Sequence, residues 1–220
     1  MLTEKYNNQS SNIASYDYTD IAEGTGVVKF EGYQSETDSG INYGLTTSSI
    51  YSKYIESSFS SSIPASGTYL IYYDKDYDLT AFNTPKTLRG TAIIQQSLAG
   101  IYTGGSGTPY SKVNYLIRKW DGTTETEIAS AYSDTLAVGG GYAYQMNTVP
   151  ITIPRTHFKT GEILRLSVNG YIGMPGGGDT GGVFTIGHDP KNRDGSILIA
   201  ASGTNIITNL QAYIPFELDV

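Results

Sequence analysis

Ile163-Leu164-Arg165-Leu166-Ser167-Val168-Asn169-Gly170-Tyr171 carries the cleanest alternation in the chain. Leu164, Leu166 and Val168 share one parity; Arg165, Ser167 and Asn169 share the other. Successive side chains on a β-strand point to opposite faces, so this period of two reads as a strand with one apolar and one polar side. Its lead-in, Phe158-Lys159-Thr160-Gly161-Glu162, supplies a turn. Upstream, Val113, Tyr115 and Ile117 alternate with Asn114, Leu116 and Arg118 before Trp120-Asp121-Gly122-Thr123 reverses the chain. Asp-Gly tolerates positive φ at both positions, so a hairpin is expected, with 125–131 as the return strand.

The same reading extends outward to strands at 27–30, 68–73, 86–98, 149–153, 183–186, 197–200 and 213–218. Within 86–98 a helix is conceivable, but flanking threonines and Gly90 favour a strand. Residues 35–44, with Ser, Asp and Gly, read as a loop, and 45–56 as an extended segment. Pro215 cannot donate to a ladder, which predicts an edge position or a bulge. Glycines at 138–141 and 176–182 mark loops. Many short strands, Gly-rich turns and no long amphipathic helix indicate an all-β fold, an antiparallel β-sandwich of jelly-roll type. Neither a fixed repeat nor a linker divides the chain. Residues 1–20, polar and rich in Asn, Ser and Tyr, read as an N-terminal arm ordered only where something holds it, and 21–220 as a single β-sandwich domain.

Composition narrows the function classes. Charged residues make up 16% of the 220, against roughly 25% in an average soluble domain, and Gly (26) and Tyr (19) fill the gap. The net charge of −7, with no basic stripe, argues against direct nucleic-acid binding. The absence of cysteine excludes disulfides and thiolate metal sites and fits synthesis in a reducing cytoplasm. No apolar run approaches the ~18 residues of a membrane span, and the first residues lack the apolar centre of a signal peptide, so no membrane partner is expected.

Each site candidate stands beside a plainer reading. Asp74, Asp76 and Asp78 are spaced by two; on a strand they would share a face and repel unless a cation such as calcium sat among them. Lys75 and the nearby tyrosines instead suggest a solvated loop. Asn192-Arg193-Asp194-Gly195 matches the middle of a calcium loop, but Pro190 takes the first ligand position and Ala201 the twelfth, where a glutamate is needed. That excludes an EF-hand and leaves a looser oxygen site at Asp189 and Asp194, or a turn in which Asp189 caps local amides. Beyond calcium, no cofactor is implied. His157 and His188 have no nucleophile elbow beside them and read as structural or surface residues. Glu125 and Glu127 share a strand face at a spacing a glycosidase could use, but such pairs are common on solvent-facing strands. The stretch 176–182 lacks the Gly-Lys-Ser/Thr ending of a phosphate loop. No catalytic residue is assigned. The tyrosines suit either subunit packing or stacking on sugars.

Several stretches resemble β-sandwich virion structural proteins of tailed phages and related archaeal viruses. They are Thr160-Gly161-Glu162-Ile163-Leu164-Arg165-Leu166-Ser167-Val168, His188-Asp189-Pro190, Ile214-Pro215-Phe216-Glu217-Leu218-Asp219, Ala22-Glu23-Gly24-Thr25-Gly26-Val27-Val28 and Asp121-Gly122-Thr123-Thr124-Glu125-Thr126-Glu127-Ile128. The resemblance implies a non-enzymatic capsid-associated or decoration subunit in the virion, packing against itself, as a trimer by analogy, and against a capsid or other virion protein. A carbohydrate- or receptor-binding module, with a glycan as partner, is the alternative.

Overall fold

The computed structural model describes residues 25–37, 40–63, 68–175, 180–193 and 208–217. The arm at 1–20, glycines 176–178, Asp194, the strand expected at 197–200 and the final residues 218–220 lie outside the described residues. All regular structure described is β-strand, and no helix is long and apolar enough to cross a membrane. In chain order the strands are β1 (Thr25–Thr37), β2 (Gly40–Thr46), β3 (Glu56–Ile63), β4 (Leu70–Asp78), β5 (Lys86–Gly105) and β6 (Tyr110–Trp120). There follow β7 (Glu125–Tyr132), β8 (Leu136–Ala137), β9 (Tyr142–Phe158), β10 (Ile163–Gly173), β11 (Thr180–Gly187) and β12 (Leu210–Glu217).

Hydrogen bonding links them in the order β3-β11-β5-β12-β1-β2-β4-β10-β6-β7, with β9 on the far edge of β5 and β8 beside β6. Every pairing is antiparallel except β2 with β4, which meet in parallel at Gly44 and Asp78 alone. β5 is long enough to carry β12 against its first half and β11 against its second on one edge, while β9 runs along the other. Leu164, Leu166 and Val168 of β10 and Val113, Tyr115 and Ile117 of β6 form one core with Leu88, Ala92, Ile94 and Leu98 of β5, Val149, Ile151 and Ile153 of β9, and Ala212 and Ile214 of β12. The strands around β10 and those around β5 thus pack face to face, and the fold is an all-β, jelly-roll-like sandwich. The apolar parity of 163–171 faces inward as its alternation requires.

Local chemistry explains the connections. Asp121 Oδ1 accepts from Thr123 N at 2.9 Å and Thr124 N at 2.7 Å, and Gly122 alone in that turn takes positive φ (96°). The reversal is therefore a side-chain-capped loop of residues 121–124 between β6 and β7. Pro215 lies inside the sheet, opposite Val27 of β1, so the edge expectation fails and the bulge expectation holds. On its other side the β12–β5 register shifts between Tyr213 and Phe216, where Gly90 (φ 118°) faces the Pro215 ring. The two residues least suited to a ladder are placed against each other.

Two expectations at 35–56 need correction. Residues 35–37 and 40–46 are not loop but paired strand, β1 and β2 meeting from Glu31–Thr46 to Thr37–Gly40. The Tyr33 ring lies over Gly44 opposite it, where an added Cβ would sit 2.7 Å from the ring, so an aromatic face covers the bare backbone. Residues 47–55 are irregular rather than a continuous strand, and β3 begins only at Glu56.

Candidate functional site

The polar face of β10 is the densest chemical surface described. Asp74, Asp76 and Asp78 lie on strand β4, not in a loop, and pair with Asn169, Ser167 and Arg165 of β10. Directly paired residues of an antiparallel ladder point to the same side, so all six side chains share one face. Arg165 meets Asp78 through two bonds, Nε to Oδ1 at 2.7 Å and an NH2 donor to Oδ2 at 2.8 Å. Its remaining nitrogen stands 3.3 Å from Asp76 Oδ2 and 3.2 Å from Glu125 Oε1. The Trp120 ring lies 5.0 Å from the guanidinium, and Arg118 completes the network on Glu125 at 2.9 Å. Ser167 Oγ donates to Asp76 Oδ1. Asp78 first, then Asp76 and Glu125, raise the Arg165 pKa against the desolvation that opposes them. The repulsion that a row of aspartates implies is thus offset at two of the three by one arginine. Glu127 instead accepts from Ser130 Oγ at 2.8 Å, which leaves Glu125 and Glu127 in separate networks.

Asp189 is buried beside its own counter-charge. Burial raises its pKa, but Arg193, donating from Nε and NH2 at 3.0 Å and from its backbone at 2.7 Å, outweighs that and leaves the carboxyl below its usual range. Asn192 takes a left-handed φ of 51° and its Oδ1 accepts from Thr208 N, closing the loop against the start of β12. This is the amide-capping turn, with Arg193 as the partner the sequence reading missed.

His188 is buried. Its Nε2 lies 2.9 Å from Ser57 Oγ and 3.1 Å from Gln34 Nε2, while its Nδ1 and Gln34 Oε1 have no partner. The contact has the look of half a hydrolytic triad, but three features oppose that role. No carboxylate among the described residues pairs with the ring, the ring is closed off from any substrate, and desolvation lowers its pKa to about 4, making it a weak base at neutral pH. The trio instead ties β1, β3 and the end of β11 together. His157 lies at an exposed contact, its Nδ1 3.2 Å from Thr87 Oγ1.

The edges of β7 and β9 approach without pairing, and a groove of about 390 Å³ runs between them. Tyr132, Asp134, Gln145, Asn147 and Thr148 line it, so its chemistry is amide, hydroxyl and carboxylate beside one half-exposed ring. Elsewhere, large apolar side chains stand uncovered at Ile41, Ile50, Tyr51 and Tyr54 and at Leu70 and Ile71. Near the first group, the Lys53 backbone bonds Gln34 O at 2.7 Å, and its ammonium lies 5.9 Å from the Tyr54 centroid and pairs with Glu36, which is opposite Ile41 in the hairpin.

No family model and no curated protein matches the sequence. Among solved structures, a CocE/NonD family hydrolase from Staphylococcus aureus is 13% identical, with a TM-score of 0.47 over 87% of this chain and 36% of that one. An aminopeptidase from a marine sediment archaeon, Thaumarchaeota archaeon, is 10% identical, with a TM-score of 0.45 over 87% and 37%. Infectious bursal disease virus, Gx strain, is 15% identical, with a TM-score of 0.34 over 93% of this chain and 55% of that one. The chain spans little more than a third of the hydrolase and aminopeptidase chains and about half of the viral one. Overlap of this extent with such different proteins favours none of their activities.

Among the described residues, no three His, Cys, Asp or Glu side chains are placed to share a metal ion. Arg165 and Asn169 were visible in the sequence as outward positions of an alternating strand. Their partners on β4 and β6 were not, because register across strands far apart in sequence leaves no local signal.

Proposed function

We propose that the chain is a non-enzymatic structural subunit of a virus particle, capsid-associated or decorating, made in the host cytoplasm. In this reading residues 21–220 form the body, which packs against copies of itself as a trimer and against a shell protein. Residues 1–20 are an arm that takes its order from a neighbour. One observation carries it: Ile41 on β2 and Ile50, Tyr51 and Tyr54 in the segment that follows it are large apolar or aromatic side chains left exposed, Tyr51 at 73% with Lys191 and Arg193 over its ring. Aromatic residues are enriched, and charged ones depleted, at the centres of protein interfaces. The motif resemblance to virion proteins points the same way, and the acidic net charge suits a subunit that does not hold the genome directly.

The test is the molar mass of the purified chain by light scattering across concentration. A closed oligomer that Ile50→Ser with Tyr51→Ser dissociates is expected. A monomer at every concentration, unchanged by those substitutions, overturns the self-packing reading. The polar groove beside Tyr132 favours a second reading, a carbohydrate- or receptor-binding module, since an aromatic face flanked by amides suits a sugar. Glycan binding abolished by Tyr132→Ala would favour that alternative.

A further inference from the structure

The row of aspartates on β4 is not uniformly neutralised. Asp78 and Asp76 meet Arg165, but Asp74 makes none of the ion pairs found among the described residues. Opposite Asp74 on β10 is Asn169, and opposite Asn169 on β6 is Asn114. One carboxylate and two amides therefore stand in a line across three strands, on one face. Both asparagines are more than nine-tenths buried, 7% and 6% exposed, and the Oδ1 of each has no hydrogen-bond partner. A buried acceptor left unsatisfied costs about 1–3 kcal/mol. Two of them, paired across one ladder beside an unpaired carboxylate, need a common donor or a cation.

We propose that Asp74, Asn169 and Asn114 form a calcium site on the outer face of the β4–β10–β6 ladder. Carboxylate and amide oxygens are the donors that calcium takes. Oxygens on opposite sides of a calcium ion stand about 4.6–5.2 Å apart, close to the roughly 4.7–4.9 Å between neighbouring strands. Asn169 thus stands one strand spacing from each of the other two, and Asp74 and Asn114, two spacings apart, reach the same ion by turning their oxygens inward over Asn169, with water filling the remaining positions. Tyr171 and Tyr132 wall the site: their rings lie 5.8 Å apart, and Tyr132 pairs with Asn114 on β7. Lys112 shares this face: its ammonium lies 4.3 Å from the Tyr132 centroid, 4.7 Å from that of Tyr69 and 5.9 Å from that of Tyr171, held by the rings and in none of the ion pairs found among the described residues. A single formal charge makes this a weak site of the millimolar class, filled outside a cell and vacant in cytosol.

Terbium is the probe, because excited tyrosines beside the ion transfer energy to it and calcium competes for the same oxygens. Tyrosine-excited terbium emission that calcium displaces and magnesium does not is expected. Asp74→Asn should weaken apparent terbium affinity at least tenfold, while Glu36→Gln, on the distant β1–β2 hairpin, leaves it unchanged. Absence of sensitised emission, or emission unaffected by Asp74→Asn, or equal displacement by magnesium, overturns the proposal. The measurement is indifferent to oligomeric state, so it succeeds or fails independently of the virion reading.

Discussion

His188 is kept neutral by the burial that surrounds it, and this ties the stability of the fold to pH. Its pKa is lowered to about 4 in the folded chain from an ordinary 6.5. Between those values the unfolded chain binds a proton that the native chain refuses, so stability falls as pH drops through the window. Above 6.5 the contribution is fully present; below 4 both states are protonated and it is gone. Between pH 7 and 5 the loss comes to about 2 kcal/mol at 1.36 kcal/mol per pKa unit. Denaturant titrations of the natural chain and His188→Gln at the two pH values measure it. The natural chain should lose about 2 kcal/mol more than the variant, and equal losses would mean that the ring reaches solvent.

At the scale of the element, β10 is two strands in one: an apolar side that fills the sandwich and a charged side that holds β4 and β7 in register. Arg165 is the cation that Asp76, Asp78 and Glu125 share, Glu125 also meeting Arg118, and its side chain is 15% exposed. Arg165→Met keeps the aliphatic stem and removes the charge, leaving Asp76 and Asp78 without their cation and Glu125 with Arg118 alone. A destabilisation of about 2 kcal/mol is expected, partly recovered by high salt, because the pair is only partly desolvated. Urea midpoints at low and high ionic strength decide it, and an unchanged midpoint would reduce the network to a screened surface contact. Legibility in the sequence varied with local chemistry. β6 and β10 were readable because their inward positions are Val, Tyr, Ile and Leu, and the Asp121-Gly122 turn announced itself. β3 escaped notice because five of its eight residues, Glu-Ser-Ser-Phe-Ser-Ser-Ser-Ile, are serine, and the buried Phe59 sits among them. β2 was hidden by Gly40 and Gly44, which read as loop until Tyr33 is seen lying across the second of them. Asp74 to Asp78 were recognised as a set, but the arginine that divides them lies 87 residues from Asp78.

At the scale of the molecule, the sandwich is closed by a strand from the far end of the described chain. β12 sits between β1 and β5, bonded to both, and contributes Leu210, Ala212 and Ile214 to the core. Its removal leaves two interior strands with open edges and uncovers the apolar layer beneath. A chain ending at residue 207 should therefore lack a dispersed amide spectrum, and a synthetic peptide of residues 208–220 should restore it. A well-dispersed spectrum for the truncated chain alone would show that β1 and β5 can satisfy each other without it.

The pairing of Thr25 with Glu217 also sets a timetable for synthesis. Translation proceeds at about 5–20 residues per second, so β1 leaves the ribosome roughly 10–40 seconds before its permanent neighbour exists. Through that interval every nascent copy carries a finished strand with a vacant edge. In a cell making many copies at once, the nearest matching β12 can belong to another chain. Exchange of this strand between copies is then a hazard of crowded production, and the speed of release decides how often it occurs.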